Sequence, residues 1–214
     1  MNQRIAVIDY GMGNLRSVSK AIEHVAGQAE VRVTDDHAYI RQADRVVFPG
    51  QGAARDCMAA IGEHHLNQAI LEAARSKPFL GICMGLQVLM QFSEENDGTD
   101  LLGLFAGQVK RFDGKAMGDN GLPLKIPHMG WSRVDQVNPQ HALWQGIENG
   151  SRFYFVHSYH VVPEQTDLTA ATTDYGVRFT SAVCQDKLFA VQFHPEKSAD
   201  AGLQLLENFV NWSV

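Results

Sequence analysis

Short apolar runs and amphipathic stretches alternate through the first ninety or so residues, and this alternation narrows the fold more than any other feature. "RIAVID" (4–9) is a short apolar run of the kind a buried strand needs. "NLRSVSKAIEHVAG" (14–27) follows, with Leu15, Val18, Ile22 and Val25 at helical spacing and Gly27 as a stop. "AEVRVT" (29–34) alternates and reads as a strand, and "DRVVFPG" (44–50) as a strand ending at Pro-Gly. Residues 53–75 are alanine-rich and helical, in one piece or two. "KPFLGIC" (77–83) is the next predicted strand and "GLQVLMQF" (85–92) the next predicted helix. Strands alternating with helices imply a parallel sheet with helices on both faces.

The second half changes character. Strands are predicted at 107–112, 133–137, 151–158, 168–173, 179–187 and 188–193, with an exposed turn at 113–123. A final helix over 199–212 packs back through Leu203, Leu206, Phe209 and Val210. No linker, repeat or low-complexity segment interrupts residues 1–214, so one domain is the economical reading. The expected class is α/β: a mostly parallel central sheet flanked by helices, with added antiparallel strands in the C-terminal half.

Composition excludes several function classes. A hydrophobic share of 45% against 20% charged residues supports a packed core. The formal net charge is −6 and the basic residues do not cluster, which argues against nucleic acid or an anionic membrane as the main partner. Three cysteines, Cys57, Cys83 and Cys184, show no paired spacing, so a reducing compartment is expected. No signal-like segment opens the chain, and no apolar run approaches the ~20 residues of a membrane span. A cytoplasmic location is the expectation.

Chemistry concentrates at "PFLGICMGLQVLM" (78–90). Cys83 stands between Gly81 and Gly85 at the end of a predicted parallel strand, where ligands of open α/β sheets sit. The pattern is the G-x-nucleophile-x-G elbow with cysteine for serine. Glycine relieves the crowding of a sharp strand-to-helix turn, and the helix N-terminus favours a thiolate. A buried structural sulfur is the competing reading at this point, and it is the preferred one for Cys57 and Cys184.

A cysteine nucleophile needs a base, and the base an orienting group. His24, His37, His64, His65 and His141 sit in polar or helical contexts suited to solvated imidazoles. His194 follows an apolar strand in "FHPEKS", and Pro195 ends that strand. Glu196, two residues on, points the same way in an extended chain and could fix the imidazole tautomer. "FPGQGA" (48–53) ends another predicted strand. A backbone N–H among Gly50, Gln51 and Gly52, together with that of Met84, could form an oxyanion hole. "YGMGN" (10–14) lacks the third glycine of a dinucleotide fingerprint, since Arg16 occupies its place. A loop at a subunit interface fits it better.

Pro49-Gly50-Gln51-Gly52, Gly81 to Gln87 and His194-Pro195-Glu196, in this order, resemble the class I glutamine amidotransferases with a Cys-His-Glu triad. "IDYGMGNLRSV" (8–18), "PHMGWSRV" (127–134), "YFVHSYH" (154–160) and "VQFHPEKS" (191–198) look like one branch of that family, the glutaminase subunits of imidazole glycerol phosphate synthases. Ser132, Gln51 and His160 depart from residues common in that branch, and none belongs to the triad. The resemblance implies a flavodoxin-like fold and L-glutamine as substrate, with no cofactor and no metal. It implies Cys83, His194 and Glu196 as catalytic residues and Gln87, Glu95 and Ser158 as substrate-binding residues. It further implies a (β/α)8-barrel cyclase as partner in a heterodimer, met by Asn14, Met129, Trp131, Tyr154 and Lys197. Glutaminases serving another acceptor, and a stand-alone thiol amidase, are the alternatives.

Overall fold

The structure is a computed structural model that describes residues 2–213 apart from 116, 118–120 and 122. The turn expected over 113–123 lies partly outside the described residues. Strands β1 (Arg4–Ile8), β2 (Glu30–Thr34), β3 (Arg45–Gly50) and β4 (Phe79–Cys83) alternate with helices α1 (Leu15–Val25), α2 (His37–Gln42), α3 (Ala54–Glu63) and α4 (Asn67–Ser76), and β4 runs into α5 (Met84–Gln87). The chain continues through β5 (Phe92–Ser93), β6 (Thr99–Asp100), β7 (Gly107–Arg111), β8 (His128–Arg133), β9 (Asp135–Gln136), β10 (Arg152–His157) and β11 (Tyr159–Pro163). It closes with β12 (Thr169–Asp174), β13 (Arg178–Gln185), β14 (Leu188–Val191) and α6 (Ala199–Asn211).

The large sheet runs β2-β1-β3-β4-β14-β13-β11-β7-β5-β6, with β12 on β13 and β9 on β12. From β2 to β14 every pairing is parallel, and from β14 to β7 every pairing is antiparallel. Alternate residues of β1 enter different cores. Ala6 and Ile8 pack with Phe48 and α3 and α4, whereas Ile5 and Val7 pack with Val18, Ile22 and α6. A strand apolar on both faces needs cover on both, which is what the continuous run "RIAVI" encodes. On α6 the buried residues are Gly202, Leu205, Leu206, Phe209 and Val210, while Leu203 is only half-buried.

Two local expectations are corrected, and one helix is found that the sequence did not reveal. The helix predicted over 85–92 is a single turn, α5. Val88, Leu89 and Met90 are all fully buried, so no apolar stripe separates from a polar face. Their carbonyls accept from the N–H groups of Leu102, Phe105 and Gly103, which replaces a helical ladder. Helix α2 has no apolar period to reveal it; its signal is Asp36, whose carboxylate accepts from the N–H groups of Ala38 and Tyr39. Finally, the strand-rich half does not all extend one sheet. β8 and β10 form a separate antiparallel ribbon with Trp131 opposite Tyr154 and Met129 opposite Val156. The strand expected at 133–137 is present in shortened form as β9, paired with β12, and β8 precedes it with Met129 and Trp131 facing solvent and His128 buried.

Candidate active site

The parallel strands β3, β4 and β14 end on one side of the sheet, and Gly50, Cys83 and His194 stand at or just past those ends. Cys83 sits at φ 55°, ψ −107°, a strained conformation for a residue with a Cβ. The two flanking glycines are sterically required. A Cβ on Gly85 would lie 1.8 Å from the Phe48 carbonyl oxygen, and one on Gly81 would lie 2.7 Å from the Gly85 carbonyl oxygen. The elbow therefore wedges the nucleophile candidate between β3 and α5.

His194 Nδ1 lies 2.8 Å from Glu196 Oε1, with side-chain exposures of 4% and 0%. A buried carboxylate accepts, so Nδ1 carries the proton and Nε2 is left for other work. The contact is not made in extended chain as expected from spacing. Pro195–Lys197 form a 3₁₀ turn. Ser198 ties that turn to the ribbon: its Oγ donates to the His194 carbonyl at 2.6 Å and accepts from Tyr154 N–H at 2.9 Å. Burial pushes the His194 imidazole down, but attraction to the Cys83 and Glu196 charges outweighs it and raises it to about 10. The charged imidazolium is thereby favoured beside Cys83. Burial instead pushes the Cys57 and Cys184 thiols up to about 11, which disfavours their thiolates at neutral pH.

Cys83 and His194 line one cavity of about 670 Å³ together with Gly11, Met12, Gly13, Gln51, Gly52, Met84, Gln87, Glu95, His157, Ser158, Tyr159 and Lys197. Of the oxyanion candidates, Gln51, Gly52 and Met84 reach the cavity wall. Gly50 lies behind, closed over by Tyr10 Oη and Met84 Cβ, and the Gln51 carbonyl accepts from Cys57 Sγ at 3.5 Å. Glu95 Oε2 accepts from Ala54 N–H at the start of α3, at 2.7 Å. Ser158 occupies the junction of β10 and β11. Gln87 is buried, and its Nε2 donates to the Tyr159 carbonyl at 3.1 Å and to Gln192 Oε1 at 3.0 Å, so its carbonyl oxygen is the end left for a ligand.

Of the expected partner residues, Lys197 lines the cavity, and Met129 stands opposite Val156, which also lines it. Met129 is 62% exposed and Trp131 48%. Trp131 meets Tyr154 edge to face, and Lys197 Nζ sits 5.9 Å over the Tyr154 ring. Asn14 follows the cavity-lining loop Gly11–Gly13 and opens α1. Two features escape sequence reasoning. Gln192, fully buried, donates from Nε2 to Cys83 Sγ at 3.7 Å. Its signal is a glutamine inside an apolar run, which burial obliges to find partners. The other is a buried histidine pair, with His128 Nδ1 3.1 Å from His157 Nε2. His141 also departs from expectation: it is half-buried against Phe189 and Trp212, not solvated.

Among the described residues no cluster of His, Cys, Asp and Glu could hold a metal, and no helix is long and apolar enough to cross a membrane.

Comparison with known proteins agrees with this geometry. Residues 6–212 match the family described as Glutamine amidotransferase class-I, and the chain belongs to that family. It is 61% identical to the "Imidazole glycerol phosphate synthase subunit HisH" of Thiobacillus denitrificans, over 100% of this chain and 93% of that protein. It is 60% identical to the subunit of the same name from Dechloromonas aromatica, over 98% and 97%. Among solved structures, PurLQS from Thermotoga maritima matches with a TM-score of 0.73 at 18% identity, over 99% of each chain. A glutamine amidotransferase from the same organism matches with a TM-score of 0.60 at 18% identity, over 94% and 79%. These two likenesses concern the fold.

Proposed function

We propose that this chain, as one domain over residues 1–214, is the cytoplasmic glutaminase subunit of an imidazole glycerol phosphate synthase. It hydrolyses L-glutamine and passes ammonia to a (β/α)8-barrel cyclase. The observation that carries the reading is the buried His194–Glu196 pair opening onto the same cavity as a strained, glycine-flanked Cys83. Identity above one half to proteins bearing that subunit name supports the choice of acceptor.

The chemistry follows from the residues. The thiolate of Cys83 attacks the side-chain amide carbon of glutamine, and backbone N–H groups of the Gln51–Gly52 stretch and Met84 receive the developing oxyanion. The protonated Nε2 of His194 gives its proton to the departing nitrogen, and ammonia leaves a thioester. The neutral imidazole then takes a proton from water, which attacks the thioester and releases glutamate. Glu196 holds the ring in the tautomer both steps need. The Gln87 and Glu95 oxygens are acceptors suited to the substrate ammonium, and Ser158, which lines the same cavity, is the proposed contact for its carboxylate. At neutral pH free ammonia is mostly ammonium, which is no nucleophile, so direct delivery to a partner's acceptor site is advantageous. Met129, Trp131, Tyr154, Lys197 and Asn14 are the surface for that partner.

Replacing Cys83 by Ala in the complex tests this. Glutamine-dependent synthesis of imidazole glycerol phosphate should vanish while synthesis from added ammonium continues. Loss of the ammonium-dependent reaction as well would overturn the division of labour.

A further inference from the structure

The Cys83 sulfur has a second neighbour that can favour its charged form, and the geometry points to Gln192 as a catalytic hydrogen-bond donor to the thiolate, held in the donating orientation by Gln87. Amide oxygen and nitrogen are interchangeable in shape, so the orientation must come from the surrounding bonds. It starts at the Tyr159 backbone carbonyl, which can only accept. Gln87 lies 3.1 Å from it and must present its NH2. That same NH2 reaches Gln192 at 3.0 Å, so Gln192 must offer its oxygen there. The Gln192 NH2 is thereby turned to Cys83 Sγ at 3.7 Å. Gln192 is fully buried, and its main-chain N–H donates to the Ser181 carbonyl at 2.9 Å. A backbone carbonyl on β11 thus dictates, through the Gln87 amide, which end of the Gln192 amide faces the nucleophile.

A donor aimed at sulfur stabilises thiolate over thiol. The ionisable groups around Cys83 are His194, with Glu196 behind it, from the turn after β14, Tyr10 after β1 and Cys57 on α3. Glu95, His157 and Lys197 line the same cavity. Of these only His194 favours the thiolate by direct approach; Gln192 adds a neutral donor that does not itself titrate with pH.

The inference rests on the glutaminase reading for its catalytic meaning, but the measurement is on the sulfur. The full chain is treated with iodoacetamide across pH, and modification of Cys83 is followed by peptide mass. Gln192→Met should move the acid limb of reactivity up by about one pH unit. Reaction near neutrality should slow about tenfold, and kcat for glutamine hydrolysis should fall with KM little changed. Gln87→Met, which reaches the sulfur only through Gln192, should move the limb the same way by less. It also decides the matter if Gln192→Met does not fold. A limb superimposing on that of the unaltered protein in these variants would overturn the inference. Separately, failure of a glutamine-derived diazoketone to label Cys83 in the unaltered chain would sink the glutaminase reading and leave the sulfur result standing.

Discussion

Cys83 combines a reactive atom with an unfavourable backbone. Its positive φ is held by β3, β4 and α5 packed around the elbow, and such strain is worth about 1–3 kcal/mol. Glycine at this position would relieve most of it, and alanine none. The Cys83→Gly chain should therefore be more stable than Cys83→Ala by about 1 kcal/mol, after glycine's own entropic cost. Urea denaturation of the two inactive variants checks this, and equal stabilities would show that the elbow is not strained. The elbow was legible in the residues because glycine at both flanks marks a turn too tight for a Cβ on either side. The orientation of Gln192 was not, because it depends on a carbonyl 33 positions away along the chain.

The β8–β10 ribbon carries its own buried chain of polar groups. His157 Nδ1 donates to the Tyr159 carbonyl at 2.7 Å, so its Nε2 accepts from His128 Nδ1, and His128 Nε2 accepts from Ser132 Oγ at 2.8 Å. The arrangement requires both rings neutral. Burial pushes His128 down to about 4 and His157 to about 3. The unfolded chain binds more protons than the native one below the ordinary histidine value near 6.5, so stability should fall with pH from about 6.5 toward 4. His194 acts in the opposite sense. Raised to about 10, it is protonated in both states below 6.5, and its contribution is lost only as pH climbs from 6.5 toward 10. Unfolding free energies from urea curves at pH 7 and pH 5 should differ by a few kcal/mol, about two per buried histidine. A flat profile between those values would mean that the histidines are not held neutral.

Across the molecule, the cavity opens beside a patch that a monomer has little reason to expose. Met129 and Trp131 project from the ribbon, with Tyr154 and Lys197 adjoining. Trp131→Ala should leave folding of the chain intact, since nearly half of the residue's surface faces solvent. It should weaken the complex with the proposed cyclase subunit about tenfold or more. Size-exclusion chromatography of the mixed subunits over a dilution series reports this, and unaltered assembly would move the partner surface elsewhere.

The alternation of apolar runs and helical periods was enough to dictate the parallel half of the sheet, because its inner strands β1, β3, β4 and β14 are buried on both faces and each helix on one. Motif spacing likewise nominated Cys83, His194 and Glu196. Tertiary structure alone decided that the one-turn α5 stops where neighbouring N–H groups claim the carbonyls that follow it, that β8 and β10 leave the main sheet, and that a 3₁₀ turn rather than an extended segment brings Glu196 to His194. It alone aimed Gln192 at the sulfur. The physical reason is common to all four. Local preference reports what a residue does to its own backbone, whereas these outcomes depend on which distant polar group has a hydrogen bond left to give.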